Sequence, residues 1–335
     1  MVKLGILDYA QIDEGSNSKE ALNNSVQLAQ YCESLGYERF WVAEHHNVPA
    51  FASSSPELMM MQLLAHTEKI RIGSGGVMLP HYAPLKVAEN FRILEAYYPH
   101  RVDLGVGNSR GTQEVYAALN EDKPFKQNYE QKIVEIQAFL TESFDQDHAY
   151  HGIMANPSIE QFPQMWLLSS SVKSARIAAR LGLGYCFGVF PYASQDRLQV
   201  GIEACQVYRD EFKPSAFMPE PIVSVAPFLA VAETEAQGLA YAEALDLWLL
   251  GLDNFSELKQ FPSIETARQF NYSDTDRKAI ARNRIRSVVG GIENVTKQLK
   301  LYVDHMQADE LLLVPLMPGL DSRKKAIELL AEAFK

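Results

Sequence analysis

Residues 164–189, QMWLLSSSVKSARIAARLGLGYCFGV, decide the fold. The apolar run at 165–169 reads as a buried strand. It ends in Ser169-Ser170-Ser171, and a helix follows at once over Val172–Leu181, with Ala175, Ala178 and Ala179 behind its first turn. A second apolar run at 185–189 reads as the next strand. Two strands joined through a helix lie parallel in one sheet, so this stretch is one β-α-β unit.

The same alternation extends in both directions. Towards the N-terminus, strands are expected at Lys3–Asp8, 39–43, 70–78 and 101–107. The first helix carries an apolar stripe at Leu22, Val26, Ala29, Cys32 and Leu35 and stops at Gly36, a C-cap glycine. Ser55-Pro56-Glu57 opens the second with a cap, a proline and an acid, and Val87, Phe91, Leu94 and Tyr98 mark the third. Helical segments follow at 112–119 and 125–141. Towards the C-terminus come a helix at 195–212, a strand at 222–232 and a helix at 234–250. The helix Ile292–Met306, a strand at 310–314 and a closing helix at 322–334 complete the chain.

Eight strands, nearly every one followed by a helix, predict a (β/α)8 TIM barrel in one domain over residues 1–335. A doubly wound open sheet is the competing architecture. Two segments exceed the barrel pattern, 108–163 and 251–290. The second holds Arg277, Lys278, Arg282, Arg284 and Arg286, which fit either a basic lid or a solvated surface helix.

Composition narrows the function. The 335 residues are 47% hydrophobic and 22% charged, as in soluble globular proteins, and the net charge of -11 opposes binding to nucleic acid or an anionic membrane. Cys32, Cys186 and Cys205 are odd in number and far apart, which argues against a disulfide framework or a zinc site and fits a reducing cytoplasm. The opening MVKLGILDYA is too short an apolar run for a signal peptide, and no stretch approaches a membrane span. A cytoplasmic location is expected.

Barrel enzymes work at the C-terminal ends of their strands. Those ends carry Asp8-Tyr9, Glu44-His45-His46, Gly75-Gly76, Gly107-Asn108-Ser109-Arg110 and Ser169-Ser170-Ser171. The histidine pair lacks the spacing of a metal site, so no metal is expected; one histidine serves as acid, base or hydrogen-bond donor, or else merely caps the loop. GVGNSRG at 105–111 fails as a dinucleotide fingerprint because Arg110 stands where glycine is required, yet an arginine there suits a phosphate clamp or a surface ion pair. Serine hydroxyls at the start of a helix, with Ser174 one turn in, suit an anion, although any one of them is also an ordinary cap. Gly73, Gly75 and Gly76 inside a strand mark a bend or a close approach by a flat group.

In this order, WVAEHH, GSGGVMLPHYAPLKVAENF, RVDLGVG and LLSSSVKSARIAARLGLGY resemble the bacterial luciferase-like flavin-dependent monooxygenases over most of the chain, and DELLLV at 309–314 supports the match. The resemblance implies a barrel binding reduced FMN at its mouth. His45 matches the family's catalytic histidine, which supports a C4a-peroxyflavin. Gly75-Gly76 matches a non-prolyl cis peptide against the flavin, and Arg110, Ser170, Ser171 and Ser174 fall where the FMN phosphate is held. Arg110 is offset from the family position by Asn108-Ser109, and Ser170 replaces an acid of the luciferase α subunit. Glu44 and His46 are expected to orient the loop.

The activity implied is an FMN-dependent monooxygenase that takes reduced FMN as co-substrate and moves one oxygen of O2 to a small organic substrate. The chain has no Rossmann fingerprint, so a separate flavin reductase is expected, and the resemblance implies a homodimer. Rival readings are a non-catalytic flavin-binding protein, a deazaflavin-dependent hydride-transfer enzyme and a protein-interaction barrel. Tyr9, Phe51, His81, Phe187 and Phe190 are expected to line the mouth.

Overall fold

The computed structural model describes residues 2–120, 128–190 and 196–335. Among these residues ten strands form one sheet. They are β1 (Lys3–Asp8), β2 (Arg39–Val42), β3 (Arg71–Ser74), β4 (Val77–Met78), β5 (Val102–Gly107), β6 (Gln164–Ser169), β7 (Gly184–Val189), β8 (Val223–Ala232), β9 (Val288–Gly291) and β10 (Glu310–Pro315). Every pairing between them is parallel, and β10 bonds to both β1 and β8, so the sheet closes on itself. The circuit β1-β2-β3-β5-β6-β7-β8-β10 is an eight-stranded barrel, and the open-sheet alternative falls with that closure.

The strand expected at 70–78 is two pieces. β3 ends at Ser74, a cis peptide joins Gly75 to Gly76, and β4 resumes against β5. β9, inside the 251–290 segment, was not expected: its four residues, VVGG, are too few and too glycine-rich to declare a period. It extends β8 beyond the barrel, pairing with Leu229–Ala232. The first helix, Ser18–Ser34, is rotated from its expected stripe. Ala21, Ser25, Leu28, Ala29 and Cys32 are buried, while Leu22 and Val26 are only partly so. The cause is polar: Ser25 Oγ donates to Asp8 Oδ2 at 2.5 Å, which draws a serine into the core.

At the N-terminal ends of the strands the barrel is closed by charge. Arg39 donates to Glu310 through Nε (2.7 Å) and to Asp103 at 2.5 Å, and Trp41 Nε1 donates to the same Asp103 oxygen at 2.9 Å. Burial works the other way, yet Arg39 and Arg71 hold Asp103 below the usual carboxylate range. A Cβ on Gly73 would lie 2.4 Å from Trp41 Nε1, so this floor needs glycine beside the indole. The cavity that Glu44 and His45 border lies at the opposite end. Among the described residues no helix is long and apolar enough to cross a membrane.

Candidate functional site

The C-terminal ends of β1 to β6 surround a cavity of about 620 Å3, within the size range of small-molecule sites. One side is polar. Ser171 caps the helix Val172–Leu181, its Oγ accepting the Ser174 N–H at 3.3 Å and donating to Ser174 Oγ at 3.1 Å. The carbonyls of this loop are engaged elsewhere: an Arg197 amino group donates to Ser170 at 3.1 Å, and the Tyr185 hydroxyl to Ser171 at 3.2 Å. That leaves the N–H groups of Val172 and Lys173 and the hydroxyls of Ser169, Ser170 and Ser174 as the donors for the cavity, a set suited to an anion. Ser169, Ser170, Ser171 and Ser174 all line it, with Asn108, Ser109 and Thr112 from the neighbouring β5 end beside them.

Arg110 is placed differently. It is exposed on the loop after β5, its guanidinium 6.0 Å from the Tyr116 ring, and it is not among the residues lining the cavity. Another arginine pair was missed by sequence. Arg197 is buried behind the serine loop, and burial followed by the nearby Arg286 guanidinium pushes its pKa down. Arg286 belongs to the basic run that was legible as a run, whereas nothing local distinguishes Arg197. Elsewhere in that run, Arg284 pairs with Asp246 at 2.6 Å and Arg277 lies 5.9 Å from the Tyr272 ring.

His45 stands where β2 ends. Its backbone N–H donates to Ser53 at 3.0 Å, and the buried Ser53 hydroxyl returns to Ala43 at 2.6 Å, so the loop is braced on both sides. The imidazole packs against Tyr9 (4.5 Å between ring centres) and Phe51 (5.1 Å). Burial, then the neighbouring His46, push its pKa down to about 4, so the ring is neutral at pH 7. Its Nδ1 is buried with no hydrogen-bond partner among the described residues.

Glu44, beside it, is fully engaged. One oxygen accepts from the Tyr82 hydroxyl (2.5 Å) and lies 2.8 Å from His46 Nε2, while the other accepts the Met78 N–H at 2.8 Å. This carboxylate therefore ties the end of β2 to β4, just past the cis peptide. Gly75 and Gly76 border the cavity, but their lack of side chains is required on the other face. A Cβ at 75 would lie 2.5 Å from Leu7 Cδ1, and one at 76 would lie 2.9 Å from the β5 backbone at Val106.

Of the aromatics expected at the mouth, Tyr9 and Phe190 line the cavity and Phe51 supports His45 from behind. His81 instead turns away to Asn120 (2.8 Å from Nδ1), and Phe187 is wholly buried beneath Arg197. The 251–290 segment adds two lining residues that sequence reading did not anticipate, Asn254 and Phe255.

Comparison with known proteins bears on this arrangement. The model of the luciferase-like monooxygenase family matches residues 2–306. The chain is 40% identical to the uncharacterised Bacillus subtilis protein YceB over the full length of both. It is 38% identical to the N-acetyl-S-alkylcysteine monooxygenase of the same organism, over 71% of this chain and 70% of that one. The crystal structure of apo-MsnO8 superposes with a TM-score of 0.87 at 34% identity, covering 100% of this chain and 98% of that one. Two more distant structures, each 15% identical with a TM-score of 0.68, share the fold. One is the Pseudomonas putida 3,6-diketocamphane monooxygenase in complex with FMN, covering 99% of this chain and 97% of its own. The other is an F420-dependent secondary alcohol dehydrogenase with an F420-acetone adduct, covering 100% and 99%. The chain belongs to the luciferase-like monooxygenase family.

Proposed function

We propose that this protein is an FMN-dependent monooxygenase that uses reduced FMN and O2 to oxidise a small organic substrate, working as a homodimer fed by a separate flavin reductase. The observation that carries the reading is a neutral, buried His45 with an unpartnered Nδ1, across one cavity from a serine-capped helix N-terminus. The residues present fit the cofactor. Ser170, Ser171 and Ser174 and the Val172 and Lys173 N–H groups would hold the phosphate, and the Gly75-Gly76 backbone at the cavity would face the ring system. Arg197 positions the Ser170 carbonyl, and Arg110 on the rim is a phosphate contact only if its loop turns inward.

When bound, reduced FMN supplies two electrons, so that one atom of O2 enters the substrate and the other leaves as water. His45 would hold a proton by hydrogen bond from its neutral ring, since burial opposes the charge that outright gain or loss of a proton would leave there. Glu44 holds His46 and the Met78 N–H, keeping the His45 loop and the Gly75-Gly76 wall in one fixed relation. Tyr9 and Phe51 restrict water around the imidazole. The name of the N-acetyl-S-alkylcysteine monooxygenase makes S-alkyl compounds the first class to try. Deazaflavin is the second cofactor to weigh, since a protein of this fold holds F420.

The test is anaerobic titration with reduced FMN, then mixing with oxygenated buffer and an N-acetyl-S-alkylcysteine, with the added oxygen read by mass spectrometry. His45→Ala is expected to bind reduced FMN within a few-fold of the parent and to form product at least about 100-fold more slowly. Absence of FMN binding removes the cofactor assignment, and unchanged product formation removes the role of His45.

A further inference from the structure

The barrel circuit places the serine loop and the His45 surroundings on opposite sides of one mouth, because β6 stands across the ring from β1. On the β1 side Tyr9, His45 and Phe255 line the cavity and are backed by a connected series of buried rings. Phe255 packs on Trp248 (4.7 Å), Trp248 on Phe51 (4.8 Å), Phe51 on Tyr9 and His45 (5.1 Å each), and Tyr9 on Phe228 (5.8 Å). Phe255 and Asn254 reach the cavity from the 251–290 segment through an unusual turn. Gly251, Asp253, Asn254 and Phe255 all have positive φ, from +46° to +68°. Asparagine and aspartate tolerate this region, but a bulky phenylalanine at +68° is strained, and strain of that kind concentrates where a ligand is clamped. The only charged side chain among the described lining residues is Glu44, and both its oxygens are taken.

The geometry points to a second subsite in this cavity, in which Phe255 and Asn254 select an uncharged apolar or aromatic group of the substrate and hold it against the wall beside His45. Here it rests on the proposed flavin seat only in that the flavin occupies the serine side. Aromatic surface of this kind favours a flat or alkyl group through contact area. A carboxylate or ammonium entering there would find no side chain of opposite charge with a free polar atom among the described lining residues. Asn254 supplies the one amide of the turn, able to hydrogen-bond a neutral polar atom such as a thioether, ketone or ester oxygen at the edge of the group. Specificity thus resides in the insertion, while the cofactor's donors reside in the barrel.

The probes are methyl phenyl sulfide and its 4-carboxylate, titrated by calorimetry into the full-length protein, once as purified without flavin and once saturated with FMN. The neutral sulfide is expected to bind at least tenfold more tightly than the carboxylate in both forms. Phe255→Ala is expected to remove most of that difference, and Phe255→Leu, which keeps apolar bulk, to retain about half of it in logarithmic terms. FMN affinity, followed by flavin fluorescence on the same samples, should be unmoved by either substitution. Equal or tighter binding of the carboxylate, no binding of the neutral sulfide, displacement of the sulfide by FMN, or an unaltered preference in Phe255→Ala would each overturn the subsite. Should FMN fail to bind while the neutral preference and its loss in Phe255→Ala persist, the subsite stands and the flavin reading falls.

Discussion

His45 is set by its surroundings more than by its own chemistry. A histidine in water changes charge near neutrality. This one is packed between two rings and has its pKa pushed down to about 4, so it stays neutral across the range in which an exposed histidine would titrate. If His45 acts as proposed, turnover should show no ionisation near pH 6.5. The acid limb due to this group should instead appear near pH 4, and a kcat/KM profile between pH 4.5 and 8 checks this. A limb centred near 6.5 that disappears in His45→Gln would contradict a neutral ring. Glu44 has the complementary character: its oxygens accept from Met78 and Tyr82 and contact His46, which marks it as the positioning residue of this loop. A strand ending in EHH suggested a site and suggested that Glu44 and His46 orient it. It did not show that the carboxylate reaches across to β4.

At the scale of elements, the junction of β3 and β4 is governed by close approach. Gly75→Ala would press a methyl group against the end of Leu7, a flexible neighbour, and is expected to destabilise the fold by about 1–3 kcal/mol. Leu7→Ala removes that neighbour, so in its background Gly75→Ala should cost measurably less. Gly76→Ala meets β5 backbone instead and should show no such coupling to Leu7. Urea denaturation of the three single and two double variants checks both statements, and equal costs of Gly75→Ala in the two backgrounds would refute the contact. The glycines were legible in the sequence as a break in the strand, but the crowding by Leu7 and by the β5 backbone that requires them is tertiary and leaves no local mark. Strands and long helices were legible because period 2 and period 3.6 survive in the apolar residues. The rotation of Ser18–Ser34 was not, because one buried hydroxyl paired with Asp8 outweighs the apolar stripe. Nor were Asn254 and Phe255, whose place in the cavity depends on left-handed backbone and a tertiary path rather than on any repeat.

For the whole molecule, acid sensitivity follows from two buried groups with opposite chemistry and the same sign. The folded pKa of His45 lies below its unfolded value of 6.5, so its contribution to stability is fully present above pH 6.5 and is lost as pH falls towards 4. Asp103 is likewise depressed, from 3.8, so its contribution is retained above that value and lost only at lower pH. Thermal unfolding should therefore weaken in two stages on acidification. His45→Gln should flatten the stage between pH 6.5 and 4 by a few degrees and leave the lower stage as it was. Parallel curves for the two proteins over that range would contradict the assignment. The barrel's closure itself does not depend on the segment that carries Phe255. Along β8, pairing with β7 ends at Pro227 and with β10 at Leu229, and β9 begins at that same Leu229. The strand passes from wall to appendage at a single residue. An exchange of residues 250–291 for the equivalent stretch of a relative would consequently act as a cassette swap, giving one catalytic body a new appetite without unpicking a single staves-and-hoop bond of the barrel.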